Sequence, residues 1–191
     1  MMYNMDMKKL VAMALTLLLL VTGCSYRWSS YYMVNGQQVP YTWVCGPIYY
    51  QINAWNTNGT QINEIHAAMQ DLGYTMGRAI YFAGFTNETL RGNGPANGKI
   101  LIEHYWPSDA PSGYGWTRRT VSGTRYVGAN IYLNAPSVIH SHVVRHEAGH
   151  AVGLDHVSDP QEIMDPTYIW QNSTWGPGTT GALNVLGHQG C

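Results

Sequence analysis

The chain has 191 residues, which allows one compact domain and excludes a multidomain enzyme. With 10 Lys and Arg against 11 Asp and Glu, the formal charge is -1; the basic excess that phosphate recognition requires is missing, so no nucleic-acid partner is expected. Charged residues make up only 11% of the chain, whereas 14 Tyr, 7 Trp and 21 Gly give it the composition of an extracytoplasmic protein.

Lys8 and Lys9 precede an apolar run, residues 10–21, that closes at Thr22-Gly23-Cys24. A positive flank, an apolar core and small residues before a cut make a signal peptide, and the run is shorter than the roughly 20 apolar residues a bilayer crossing needs. Val21-Thr22-Gly23-Cys24 also resembles the bacterial lipobox, in which the cysteine is acylated and becomes the mature N-terminus. The expected layout is a lipoprotein-type signal peptide at 1–23, a tether and lead-in segment at 24–46, and the folded domain at 47–191. Such a protein is exported to the cell envelope and held at the membrane by lipid on Cys24; an ordinary cleaved signal with full secretion is the alternative. With Cys24 lipidated, Cys45 and Cys191 remain as an even pair in an oxidising compartment. A disulfide between them is the simplest use, and a free thiol is the alternative.

Asn35-Gly36, set between short apolar stretches, signals a small hairpin. Ile48, Tyr50 and Ile52 alternate with other residues as a strand, which the turn at 56–59 ends. Thr60 is the expected N-cap of a long helix, because Ile62, Ile65, Met69, Leu72 and Met76 then fall three and four apart on one apolar face; Gly73 and Gly77 weaken its end. Residues 80–86 read as a second strand, Gly92-Asn93-Gly94-Pro95 as an exposed turn and 99–105 as a third strand. Residues 108–123 read as loop-rich, 126–133 as a further strand, and 179–186 as a closing helix.

The segment His146-Glu147-Ala148-Gly149-His150-Ala151-Val152-Gly153-Leu154-Asp155-His156 carries the chemistry. Positions four apart share a helix face, so His146 and His150 can point two imidazoles at one ion with Glu147 beside them. Gly153 can take a positive φ, end the helix and return His156 as a third ligand. Three protein ligands leave zinc a fourth position for water, the arrangement of a catalytic site rather than a structural one. Zinc lowers the pKa of that water to about 7, and Glu147 can accept its proton and later pass it to a leaving amine. His66, His104, His140, His142 and His188 show no ligand spacing among themselves and read as packed or solvated histidines.

The extended motif H-E-x-x-H-x-x-G-x-x-H resembles the signature of the metzincin zinc peptidases, and Ile163-Met164-Asp165-Pro166 supplies the Met-turn that should follow. The resemblance implies an α+β, metzincin-type fold: a twisted mixed sheet, a long N-terminal helix, an active-site helix, a Met-turn and a C-terminal helix. Within that clan, Met-x-Pro-x-Tyr resembles the matrixins. By that resemblance Met164 lies under the zinc ligands as a structural floor, Pro166, Thr167 and Tyr168 line the S1′ pocket, and an edge strand within 113–117 pairs with extended substrate. A Pro-Arg-Cys-Gly propeptide switch is not found; Val44-Cys45-Gly46 is a superficial echo of it. Residues 108–123 also lack the spacing of the family's structural zinc and calcium ligands, so one catalytic Zn2+ is expected and no structural Ca2+ or second Zn2+. The implied protein is a monomeric zinc-dependent endopeptidase acting on extended polypeptides. Two alternatives remain: an anchored binding module that keeps the fold without turnover, and a zinc hydrolase of cell-wall peptides.

Overall fold

The computed structural model describes residues 31–34, 37–55, 57–87, 98–134, 141–167 and 174–189. Tyr31–Val34 (β1) and Gln37–Pro40 (β2) pair antiparallel as the hairpin that Asn35-Gly36 signals. Thr42–Trp43 (β3), Ile48–Asn53 (β4), Gly59–Met76 (α1), Ile80–Thr86 (β5), Lys99–Glu103 (β6), Gly115–Ser122 (β7), Arg125–Leu133 (β8), Ser141–Val152 (α2) and Pro177–His188 (α3) follow. In the main sheet β3, β8, β6, β4 and β5 are parallel to their neighbours, and β7 runs antiparallel along β8. The sheet is therefore mixed and the fold α+β, as the sequence predicts. No helix among the described residues is long and apolar enough to cross a membrane.

Period-two alternation gives the sheet one helix-facing side. Ile48, Tyr50 and Ile52 of β4, Ile100 and Ile102 of β6, and Ala129, Ile131 and Leu133 of β8 form one core with Ile65, Met69 and Leu72 of α1, Val144 and Ala148 of α2, and Leu183 of α3. α1 and α3 pack so closely that Gly187 has no room for a Cβ against the Met76 carbonyl.

Three features differ from the sequence pattern. The N-cap of α1 is Asn58, not Thr60: its side chain accepts from the Gln61 N–H at 3.0 Å, and the Gln61 side chain accepts from the Asn58 N–H at 2.9 Å. This reciprocal box satisfies two orphan helix donors, which Thr60 inside the first turn cannot do. Trp43, placed by the sequence in the lead-in segment, belongs to the core: β3 pairs with β8, and the indole N–H donates to the Ala151 carbonyl at 2.9 Å. Finally, the segment read as loop-rich holds a full strand: β7 overlaps the edge strand expected within 113–117 but runs on to Ser122 and pairs with β8 up to the turn at Gly123, with φ of 60°. Its strand formers Trp116, Thr117, Thr120 and Val121 are hidden from a pattern search by the arginines between them and the glycines at either end. The predicted turn at 92–95 lies outside the described residues.

The sheet's second side is polar yet buried. Glu103, 1% exposed, sits there with Asn130 and Tyr132, and neither carboxyl oxygen has a well-formed hydrogen bond. Burial pushes its pKa from 4.5 to about 7, with the Asn53 side chain opposing. The folded state thus holds this proton more tightly than the unfolded chain, so stability is full below the ordinary value and is lost as pH rises through the interval up to about 7. Thermal melts of Glu103→Gln should match the parent at pH 4 and exceed it at pH 8, by roughly 3 kcal/mol at most; a variant less stable at pH 8 would contradict a buried, uncompensated carboxylate.

Candidate metal centre

The buried stripe Val143, Val144, Ala148, Ala151 and Val152 fixes which side of α2 meets the core. Trp43 holds the helix near its C-terminus, and Arg145 pairs with Asp71 of α1 at 2.9 Å along its flank. Gly153 ends it with φ of 116°, where a Cβ would also lie 2.9 Å from the Tyr126 ring. The Leu154 N–H turns back to the Gly149 carbonyl at 3.0 Å, and the chain continues to His156.

This turn brings three imidazoles together. The Nε2 of His150 lies 3.0 Å from those of His146 and His156, which are 3.1 Å from each other. His146 Nδ1 lies 2.7 Å from the Ile163 carbonyl, and His150 Nδ1 lies 2.8 Å from the Leu154 carbonyl. A carbonyl oxygen can only accept, so Nδ1 carries the proton in both rings and the inward Nε2 is a bare lone pair in the neutral form. Burial lowers the pKa of His146 to about 4, that of His150 well below its ordinary value, and that of His156 in the same direction. His146 and His150 therefore face each other 3.0 Å apart with no proton to share, a repulsive contact unless a cation lies between them. The three nitrogens form a group able to hold a metal ion, and neutral imidazoles suit zinc.

Met164 is fully buried, so close to α2 that a Cβ on Gly149 would lie 2.7 Å from its sulfur. The turn that carries it supplies the Ile163 carbonyl to His146, and its Met164 carbonyl accepts from the Val157 N–H at 3.2 Å. The preceding Glu162, 3% exposed, caps α3 from a distance: it accepts from the Gly178 N–H at 2.8 Å, the Thr179 N–H at 3.1 Å and the Thr179 hydroxyl at 2.6 Å. The helix's own N-cap, Gly176, has no side chain to offer. Glu162→Ala should lower stability by about 2 kcal/mol in denaturant titration, whereas an unchanged midpoint would mean that water replaces the carboxylate.

Glu147 is buried beside the triad, and the Thr117 hydroxyl of β7 lies 2.7 Å from its Oε2. Burial pushes its carboxyl up to about 7, against the opposing effect of that hydrogen bond. These groups open into a cleft of about 880 Å³, whose opposite wall is β7 and the segment before it, including Tyr114, Gly115 and Thr117. Pro166 lines the cleft. Thr167 lies outside that lining, its N–H donating to Asp165 Oδ1 at 2.8 Å, and Tyr168 lies outside the described residues. Cys45 is exposed, with its sulfur 3.8 Å from Arg125 Nη1; Cys24 and Cys191 lie outside the described residues. His66 is packed, its Nδ1 2.5 Å from the Tyr50 hydroxyl. The sequence reading places Gly115 and Thr117 in an expected substrate-pairing strand but does not foresee their contacts with Glu147, nor the Arg119–Asp155 pair, 3.3 Å apart in the cleft wall. Only the register of β7 against β8 places them there.

A profile of the family described as Matrixin matches residues 80–176, about half of the chain, and includes the whole triad. The chain belongs to the matrixin family. Over 100 residues this matrixin is 31% identical to matrix metalloproteinase-15 of Homo sapiens, covering 49% of the chain and 13% of that protein. Over 43 residues it is 49% identical to macrophage metalloelastase of Oryctolagus cuniculus, covering 22% of the chain and 7% of that protein. The match thus spans a small part of either curated relative. Among solved structures, high choriolytic enzyme 1, a hatching enzyme zinc-protease from Oryzias latipes, superposes with a TM-score of 0.50 at 15% identity, over 77% of this chain and 94% of its own, a likeness of fold. In competition with a chromophoric chelator, the matrixin domain should bind one zinc per chain, and His156→Ala should weaken binding by more than the ~100-fold typical of losing an outer-sphere partner; unchanged affinity would remove His156 from the ligand set.

Proposed function

We infer that this matrixin is a zinc-dependent endopeptidase that cleaves extended polypeptides, with His146, His150 and His156 as metal ligands and Glu147 as general base. The observation that carries the reading is the inward convergence of three neutral imidazoles with a buried carboxylate beside them. A bound zinc ion supplies Lewis-acid polarisation of the scissile carbonyl and acidifies water at the same place. Glu147 takes a proton from the attacking water and returns it to the leaving amine. β7 pairs with β8 on one side, and its other edge is unpaired among the described strands, so an extended peptide can add there as a further strand beside the cleft. Met164 supports the ligands from below, and Pro166 contributes to the wall that receives the residue after the cut.

Export and tethering through lipid on Cys24 belong to the same proposal, as does pairing of Cys45 with Cys191, which would join the start and end of the folded unit. The substrate is then polypeptide outside the cytoplasm. A quenched peptide library with residues 25–191 tests the activity: cleavage should be abolished by chelation and restored by zinc. Glu147→Ala should keep stoichiometric zinc yet lose turnover by at least about 100-fold. A variant that still cleaves would point to another base, and a parent that binds zinc and peptide without cleaving would favour a binding module.

A further inference from the structure

We propose that Thr117 is a positioning residue whose hydroxyl fixes the orientation of the Glu147 carboxyl. The proposal rests on Glu147 being the general base. Two alternate residues of β7 shape the space that this carboxyl occupies. At Gly115 a Cβ would lie 2.6 Å from both Glu147 Cγ and Oε1, so the strand can approach the carboxyl only with hydrogen at that position. At Thr117 the hydroxyl oxygen lies 2.7 Å from Glu147 Oε2 and 3.0 Å from the Glu147 backbone carbonyl. β7 is fixed against β8 over its full length, so neither residue can drift from the base without breaking the sheet.

A hydroxyl has one proton to donate and two lone pairs to accept with, and here it has two acceptors in reach. While Glu147 is ionised, the Thr117 proton points at Oε2. Glu147 can act as a base without this bond moving: a proton taken from water arrives on a lone pair that faces the water, and Thr117 goes on donating to Oε2. No heavy atom has to shift. A base without this partner would lose that hydrogen bond and would be free to rotate away from the attacking water. The aliphatic isostere removes this function and leaves the shape.

The test compares Thr117→Val, Thr117→Ser and Glu147→Gln in the zinc-loaded protein, with zinc content, melting temperature, kcat and KM measured on one quenched peptide. Thr117→Val should retain its zinc, melting temperature and KM while kcat falls on the order of 10- to 100-fold. Thr117→Ser, which restores the hydroxyl, should return kcat to within about threefold of the parent. Should Thr117→Val keep the parent's kcat while Glu147→Gln is inactive, the positioning role is wrong and the peptidase reading stands. A Glu147→Gln protein as active as the parent would overturn both. Failure of Thr117→Ser to recover kcat in a folded, zinc-loaded protein would also overturn the role, since the methyl group and not the hydroxyl would then matter.

Discussion

Two backbone carbonyls, those of Ile163 and Leu154, determine what the histidine cluster can do. By accepting from the Nδ1 protons of His146 and His150 they turn the unprotonated Nε2 of each ring inward, and burial keeps both rings neutral. Each carbonyl is itself held by a tight turn. Leu154 follows Gly153, whose positive φ ends α2, and Ile163 sits in the turn with Met164, packed against Gly149. The helix stop and the methionine turn thus act on the histidines through hydrogen bonds as well as through packing.

The second constraint is the placement of β7. Paired with β8, it brings Gly115 and Thr117 against Glu147 and forms the wall of the cleft opposite α2. Its other face carries Trp116 over Tyr132 at 5.6 Å, and Arg118 over Trp116 at 4.5 Å. One strand therefore connects the core of the sheet, the Glu147 carboxyl and the rim of the cleft. Glu162 ties the turn that carries Met164 to the N-terminus of α3.

Much of this is legible from residue order because the informative features are local. The offsets within residues 146–156 are fixed by helix geometry and one glycine, and the alternation at 48–52 and 126–133 reports a sheet with one helix-facing side. What stays hidden is non-local. Thr117 touches Glu147 across 30 positions, and Trp43 reaches Ala151 across 108, pairings that no period of 2 or 3.6 can encode. The extent of β7 beyond the edge strand expected within 113–117 escapes for a related reason: its alternating sides are filled by arginines and threonines, whose burial depends on partners elsewhere in the chain. The N-cap of α1 is misplaced by two positions because Asn58 and Thr60 are both good caps in isolation, and only the reciprocal bond from Gln61 separates them.

We propose that three inward imidazoles make a zinc site with room for one more ligand. X-ray absorption at the zinc edge of the loaded protein addresses this directly. The account predicts a first shell of three imidazole nitrogens at about 2.0–2.1 Å plus light oxygen scattering, with no sulfur. A shell with sulfur at about 2.3 Å, or with only two imidazoles, would contradict it.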